Sequence, residues 1–180
     1  MSIKYKKDDQ DIVILTMDMA GRTTNNINET FILAFLQVLE RLSTEESLAG
    51  VILTSAKRTF MAGGDLDWLI QLADAAEAFH AVEKMKAAFR KLELLGKPVV
   101  AALNGTALGG GLEFALACNY RIALDDDHLR LGFPEVSLGL LPGGGGVTRL
   151  TRLLGLQAAL PYLMEGKKVT PRVALSAGFI

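Results

Sequence analysis

The sequence has little of the chemistry that disulfide-bonded, metal-binding or nucleic-acid-binding proteins need. Its single cysteine, Cys118, cannot form an internal disulfide. The two histidines, His80 and His128, lie far apart in the sequence, so no zinc-ligand cluster is indicated. The formal net charge is −1, whereas a nucleic-acid-binding protein needs a concentrated basic face. We therefore expect neither a metal site nor a nucleic-acid partner.

Long uncharged stretches are also few. Residues 99–118 approach the length of a membrane span, but Asn104, Glu113 and several glycines argue against a spanning helix. The N-terminal segment MSIKYKKDDQ is charged where a signal peptide would be apolar. We expect a protein that does not associate with membranes and that resides in the cytoplasm.

What the sequence does contain is the composition of a globular domain. It has 180 residues, of which 50% are hydrophobic and 22% are charged. This length suffices for one substantial core and is short for two. No linker, repeat or low-complexity segment divides the chain. We predict one domain over residues 1–180.

Buried strands and helices alternate along the chain, which indicates an α/β domain with much parallel sheet. We predict strands at residues 11–19, 50–56 and 99–103 and at the segments YRIAL and LRLGF. We predict a helix at residues 28–43 with Asn28 as its N-cap, a second helix at LDWLIQLA, and a long third helix that ends at Gly96 and Pro98. A further helix is predicted from the glycine-rich loop to about Cys118, and most of the remaining chain is predicted to be helical. Trp68 and the apolar stripe of the long helix are expected in the core. That stripe comprises Phe79, Val82, Met85, Phe89, Leu92 and Leu95.

The stretch LNGTALGGGLEFALACN, residues 103–119, places three consecutive glycines before a helix that carries one charge, Glu113. Glycines permit close approach to the backbone, and the first amides of a helix have no partner within it. Neither G-x-G-x-x-G, G-K-[ST] nor G-x-S-x-G occurs, so a nucleotide phosphate and a serine nucleophile are not indicated. The remaining interpretation is an amide donor for an oxyanion.

A second glycine turn, FMAGGD at residues 60–65, also lies between a predicted buried strand and a predicted helix. Ligands collect at the carboxyl ends of strands in α/β sheets. Two such loops would direct two amides at one point, as an oxyanion hole requires. By itself, AGGD is more typical of a tight turn with an N-cap aspartate, so that alternative stays open.

Glu113 and Glu135 are the candidate acid–base pair. A buried carboxyl has a raised pKa and exchanges protons near neutrality. Glu135 lies in GFPEVSLGLLPGGGG, a segment in which proline and glycine punctuate mostly apolar residues. Each glutamate has an ordinary alternative, since Glu113 could serve only the helix dipole and Glu135 could be an ordinary loop residue.

Together, FMAGGDL, ALNGTALGGGLEFALACNYRIA and LGFPEVSLGLLPGGGGVTRLTRLLG resemble the crotonase, or enoyl-CoA hydratase/isomerase, superfamily. The resemblance extends from the first predicted strand to GKKVTPRVALSAGFI. The PEVSLGLLPGGGG segment is most similar to the hydratase module of multifunctional fatty-acid oxidation alpha subunits. The resemblance implies an α/β, crotonase-like spiral of β-β-α units that ends before the C-terminal helices of the family.

The resemblance also implies a site. It places the oxyanion hole of the family at the backbone amides of Gly64 and Gly110, and the two catalytic residues at Glu113 and Glu135. Substrate-binding positions are implied at Ala62, Gly63, Gly64, Asp65, Leu66 and Gly110. Relatives with both glutamates are usually hydratases, so the resemblance implies water addition to a trans-2-enoyl-CoA in fatty-acid β-oxidation. No metal or redox cofactor is implied, because CoA enters as part of the substrate.

Two alternatives to a hydratase remain. A Δ3,Δ2-enoyl-CoA isomerase needs only one of the two glutamates. A catalytically silent acyl-CoA-binding fragment is the other, because the chain stops at SAGFI, before the helices that complete the acyl pocket and the trimer contacts in the family. The resemblance implies a homo-oligomer, trimer or hexamer, and exposed apolar surface would promote association.

Overall fold

A five-stranded sheet forms the centre of the fold. The computed structural model of the protein describes residues 3–180. The strands of the large sheet are β1 (Ile3–Lys7), β2 (Ile12–Met17), β3 (Gly50–Ser55), β4 (Val99–Leu103) and β6 (Tyr120–Ala123), in that spatial order. β1 pairs antiparallel with β2, and all other neighbours are parallel. The predicted α/β architecture with much parallel sheet is confirmed.

A smaller, three-stranded sheet joins the chain segments that follow strands β4 and β6 of the large sheet. Its strands are β5 (Ala107–Leu108), β7 (Leu131–Gly132) and β8 (Lys168–Val169), with β7 in the middle. β5 pairs parallel with β7, and β7 pairs antiparallel with β8. This sheet holds the glycine-rich segment after β5 close to the segment that carries Glu135.

Helices cover the sheets and join their strands. They are α1 (Glu29–Ser43), α2 (Leu66–Leu69), α3 (Ala75–Glu93), α4 (Gly110–Leu116), a 3₁₀ helix (Pro134–Leu138), α5 (Gly146–Leu154), α6 (Leu156–Met164) and α7 (Pro171–Ala177). Asn28 is the N-cap of α1, as predicted, since its side chain accepts a hydrogen bond from the amide of Phe31 at 3.0 Å. Within residues 3–180, no helix is both long and apolar enough to cross a membrane.

Phe114 fixes helix α4 in the middle of the core. Its ring lies 5.9 Å from that of Phe31 and 4.9 Å from that of Phe35, both edge-on, and 5.3 Å from that of Phe89. Every residue of α4 is buried, including its one charged residue, Glu113. Aromatic contacts from two helices therefore hold the backbone of α4 rigid around a buried carboxyl group.

Several elements differ from the sequence-based expectation. LDWLIQLA contains only the four-residue helix α2. Phe79 is 61% exposed instead of buried, because α3 buries only its C-terminal half, at Ala88, Phe89 and Leu92. Strand β1 was not predicted, since three of its five residues are lysines, yet its Ile3 side chain is buried while Lys4 and Lys6 point outward. The two-residue strand β8 was also missed, as it is too short to show a pattern.

Candidate active site

The two glycine turns predicted from the sequence meet in the structure. Met61 forms a parallel bridge with Ala107, and the amide of Leu108 donates to the carbonyl of Met61 at 3.1 Å. This pairing brings the two turns side by side. A Cβ atom built on Gly110 would lie only 3.6 Å from the amide nitrogen of Gly64.

Within the described residues, both amides predicted to form an oxyanion hole lack a protein acceptor. Gly110 is the first residue of α4, so its N–H has no partner within the helix. The residues on both sides of Gly64 form hydrogen bonds with Ile27. The amide of Ile27 donates to the carbonyl of Gly63, and the amide of Asp65 donates to the carbonyl of Ile27, both at 2.8 Å. Among the residues that the structure describes, neither the Gly64 nor the Gly110 amide donates a hydrogen bond. The two N–H groups are thus available to a negatively charged oxygen.

Backbone contact explains the glycines around this point. Gly109 has φ +51° and Gly63 has φ +95°, a region that favours glycine. A Cβ atom at Gly111 would lie 2.8 Å from Cβ of Met61 and would overlap the Met61 carbonyl. A larger residue at Gly63 or Gly111 would push the two turns apart, and a larger residue at Gly109 would collide with the carboxyl group of Glu135.

Glu113 is 2% exposed and lies within the first turn of α4. Its Oε1 accepts a hydrogen bond from the amide of Gly146 at 2.7 Å. Burial raises the pKa of Glu113 to about 7, and the charge of Glu135 adds to that effect, while the Gly146 amide and the Arg149 guanidinium oppose it. The Glu113 carboxyl can therefore gain or lose a proton near neutral pH.

Glu135 lies on the 3₁₀ helix, directly after Pro134, within the segment that proline and glycine punctuate. Burial raises the pKa of Glu135 as well. Its Oε2 is buried and has no hydrogen-bond partner among the described residues. A Cβ atom on Gly109 would lie 3.1 Å from the carboxyl carbon of Glu135, so that carboxyl faces the start of α4.

A cavity of about 600 Å³ is lined by all of the site residues that the sequence predicted. Its lining includes Ala62, Gly63, Gly64, Asp65, Leu66, Gly110, Glu113 and Glu135. Most of the remaining wall is apolar and includes Trp68, Leu72, Ala81, Val82, Met85 and Leu140. Trp68, Val82 and Met85 were expected in the core. Trp68 and Met85 are partly buried against the core and also line the cavity, whereas Val82 is partly buried and lines the cavity only.

Asp65 holds an ion pair at the edge of the same cavity. It is 5% exposed, and its Oδ2 accepts hydrogen bonds from Nη2 of Arg22 at 3.1 Å and from Nδ2 of Asn28 at 3.3 Å. Asp65 does occupy the N-cap position of α2, as the alternative from the sequence supposed, but its side chain makes no capping hydrogen bond and binds Arg22 and Asn28 instead. Arg22 carried no distinguishing signal in the sequence.

The PGGGG segment, residues 142–146, is part of the site and was missed. Its Gly146 amide is the donor to Glu113, and a Cβ atom on Gly144 would lie 2.7 Å from Oε2 of Glu113. The run of glycines was the available signal. Arg149, which binds the carbonyl of Gly144 at 2.8 Å, had no comparable signal, because Arg152 three residues later has the same character in the sequence.

The arrangement can stabilise a negative charge on oxygen and can move protons on either side of it. Two free amides supply the electrostatic part, and two carboxyls of raised pKa supply the acid–base part. Within residues 3–180, no three His, Cys, Asp or Glu side chains come together as ligands for a metal ion.

Comparison with known proteins gives the family. A sequence profile described as Enoyl-CoA hydratase/isomerase matches residues 9–180. The chain belongs to the enoyl-CoA hydratase/isomerase family. The structure resembles a crystal structure of an enoyl-CoA hydratase from Geobacillus kaustophilus HTA426, with a TM-score of 0.93, 30% sequence identity, and coverage of 99% of this chain and 66% of the other. An enoyl-CoA hydratase from Bacillus anthracis gives a TM-score of 0.92, 31% identity, and coverage of 100% and 69%. The crotonase-like fold is therefore confirmed.

Similar sequences include fatty acid oxidation complex alpha subunits. That of Shewanella baltica strain OS185 is 43% identical over 173 residues, covering 96% of this chain and 24% of the relative. That of Shewanella oneidensis strain MR-1 is 43% identical over 170 residues, covering 94% and 24%. The chain spans about a quarter of the length of the curated relatives it matches. The predicted resemblance to the hydratase module of such subunits is confirmed at the level of sequence.

Proposed function

We propose that this chain catalyses the addition of water to the trans-2 double bond of an enoyl-CoA thioester, as a step of fatty-acid β-oxidation. One observation carries the proposal. Two glycine amides that have no acceptor among the described residues, and two carboxyls of raised pKa, face the same largely apolar cavity. That set matches the requirements of a reaction through an enolate better than those of any simple binding site.

The amides of Gly64 and Gly110 would bind the thioester oxygen of the substrate. As water adds, negative charge moves onto this oxygen, and each preorganised donor contributes about 3–4 kcal/mol to the stabilisation of the transition state. The residues Ala62, Gly63, Asp65 and Leu66 would border the CoA part of the substrate. The acyl chain would lie against the apolar wall of α2 and α3.

Glu113 and Glu135 would hold the attacking water between them. Two carboxyls of raised pKa in one cavity favour a state in which one is ionised and the other is protonated. The ionised carboxylate accepts a proton from water as the water oxygen bonds to the β-carbon. The protonated carboxyl gives its proton to the α-carbon, so the sum of the steps is the addition of one H₂O. Proton transfer of this kind contributes about 10²–10⁴-fold to the rate.

The proposal includes no metal or redox cofactor, because hydration transfers no electrons and the amides do the work of a Lewis acid. CoA takes part only as a portion of the substrate. A cytoplasmic location and a homo-oligomeric state, trimer or hexamer, stay predictions. We also propose that the chain corresponds to the hydratase part of a fatty acid oxidation alpha subunit, which the 43% identity supports.

Crotonyl-CoA tests the proposal directly. We expect its conjugated-thioester absorbance to fall when the protein is added, and the product to have gained the mass of one water. An isomerase would instead convert trans-3-hexenoyl-CoA to the conjugated 2-enoyl thioester without mass gain and would leave crotonyl-CoA unchanged. Saturable binding of crotonyl-CoA by folded protein, with no turnover of either compound, would overturn the proposal in favour of a silent acyl-CoA-binding protein.

A further inference from the structure

The carboxyl group of Glu113 accepts a hydrogen bond from a segment made of glycines, and this segment has no side chains that could fix its conformation. Residues 143–146 are four glycines, and Gly145 adopts φ +104°. Glycine has the largest conformational freedom of any residue, so such a segment needs an external contact to stay in one conformation. Yet its Gly146 amide must remain 2.7 Å from Oε1 of Glu113.

Arg149 supplies that contact. It lies one turn into α5, where its backbone amide donates to the carbonyl of Gly145 at 2.9 Å. Its Nη1 reaches back to the carbonyl of Gly144 at 2.8 Å. The guanidinium occupies the space that a Cβ atom of Gly145 would fill. Arg149 therefore contacts two consecutive glycines of the segment from one side.

The other side of the guanidinium is tied to helix α3. Nε of Arg149 donates to Oε1 of Glu93 at 2.7 Å, and both side chains are largely buried. Burial would raise the pKa of Glu93, but Arg149 and Arg90 outweigh it, and the pKa of Glu93 lies below its ordinary value. The ring of Phe89, on the same helix, lies 5.9 Å from the guanidinium carbon. Arg149 thus links the end of α3, the glycine segment and α5.

We propose that Arg149 is a positioning residue for Glu113: it fixes the glycine segment so that the Gly146 amide stays on the Glu113 carboxylate. The inference rests on the proposed function, in which Glu113 exchanges a proton with the substrate. Arg149 is not among the described residues that line the cavity. Its effect on catalysis passes through the position and the charge of Glu113.

The charges around Glu113 determine the direction of the expected pH effect. In the described part of the chain, Glu135 faces Glu113 from the 3₁₀ helix and raises its pKa, while Arg149 faces it from α5 and lowers its pKa. The charged group that α3 places beside Arg149 is the carboxylate of Glu93, which accepts a hydrogen bond from Arg149. Cys118, after α4, stays neutral, because burial raises the pKa of its thiol to about 12. Loss of the Arg149 charge would therefore raise the pKa of Glu113.

The test compares wild type, Arg149→Met, Arg149→Lys and Arg152→Met in the crotonyl-CoA assay, with near-ultraviolet circular dichroism to verify folding. For Arg149→Met we expect kcat/KM to fall about 10–100-fold through kcat, with KM nearly unchanged, because the carboxyl is displaced while the binding turns are intact. The pH profile should move to higher pH by on the order of 0.5–1 unit.

The lysine variant separates charge from position. A lysine keeps the charge but lacks the planar fork that reaches Glu93 and Gly144 together, so its pH profile should stay near that of wild type while kcat remains reduced. Arg152, exposed on the same helix and without a side-chain hydrogen bond among the described residues, is the matched control, and its variant should match wild type in both measurements.

A titration of ¹³C-labelled glutamate carboxyls gives a readout that needs no activity, with Glu113→Gln identifying the resonance. We expect Arg149→Met to raise the pKa of Glu113 from its value of about 7. Folded Arg149→Met with an unchanged pH profile, kcat and Glu113 titration would overturn the inference and leave the proposed function standing. An inactive wild type would overturn the proposed function itself, whatever the titration gives.

Discussion

Glu113 is an acid placed where burial favours its neutral form. Its pKa rises from 4.5 to about 7 on folding. A group whose pKa is raised in the folded state contributes fully to stability below its unfolded pKa, and that contribution is lost as the pH rises through the folded pKa. Stability is therefore lost between pH 4.5 and about pH 7. Above this range, burial of the ionised carboxylate lowers the free energy of unfolding by about 3 kcal/mol.

The substitution Glu113→Gln should remove this cost. Glutamine has nearly the same volume and can accept the Gly146 hydrogen bond, but it has no charge to bury. We predict that Glu113→Gln is more stable than wild type by about 3 kcal/mol at pH 8 and nearly equal to it at pH 4. Urea unfolding at the two pH values measures the difference. The exposed Glu46→Gln is the control, and an equal gain at both pH values would contradict the account.

Two neighbouring glycines should respond to alanine in different ways. A methyl group on Gly110 would lie 3.6 Å from the Gly64 nitrogen, in the space for the thioester oxygen, and 2.9 Å from Cδ1 of Ile27, the end of a flexible side chain. We predict that Gly110→Ala lowers kcat/KM by about 10²–10³-fold with little change in melting temperature.

Gly111→Ala provides the contrast. Its methyl group would overlap the backbone carbonyl of Met61, which cannot move without separating the two turns. We predict a loss of about 2 kcal/mol in the free energy of unfolding. Thermal unfolding and the crotonyl-CoA assay on both variants distinguish the two roles. Equal destabilisation by the two substitutions would show that Gly110 serves packing alone.

Among the elements, α3 has two functions along its length. Its C-terminal half packs in the core through Phe89 and Leu92, while Ala81 and Val82 of its N-terminal half line the cavity. Sequence periodicity predicted the helix but assigned its whole apolar stripe to the core. A stripe that faces a ligand cavity has the same period as one that faces a protein core, so periodicity cannot distinguish them.

This division predicts how α3 affects the choice of substrate. Ala81→Leu would narrow the apolar wall, so we expect kcat/KM to fall more for trans-2-decenoyl-CoA than for crotonyl-CoA, by about 10-fold or more. Ala87→Leu, at an exposed position of the same helix, should leave the ratio unchanged. A ratio that is the same in Ala81→Leu and wild type would mean that the acyl chain does not reach this wall.

The sequence was sufficient for the elements whose signals are local. The N-cap at Asn28, the buried strand β3 and the glycine turn before α4 all follow from residue type and spacing. The contacts of Gly146 and Arg149 were not predictable in this way. Glu113 and Gly146 are 33 residues apart, and only the packing of α5 against α4 brings them together.

At the scale of the whole molecule, apolar surface remains exposed at one edge of the large sheet. Strand β6 is the last strand in the sheet order, and Tyr120 and Ile122 are each more than half exposed. Edge strands and apolar patches of this kind are features of surfaces that associate. We predict a light-scattering mass equal to three or six chains. A monomer mass at every protein concentration tested would contradict the expected homo-oligomer.

The most direct test of the central claim is the rate of crotonyl-CoA hydration by wild type, Glu113→Gln and Glu135→Gln side by side, with Glu46→Gln as the control. The account predicts that wild type and Glu46→Gln turn over, and that each site variant loses about 10²–10⁴-fold in kcat while still binding crotonyl-CoA. Full activity in either site variant, with the fold intact, would contradict the claim that both carboxyls transfer protons.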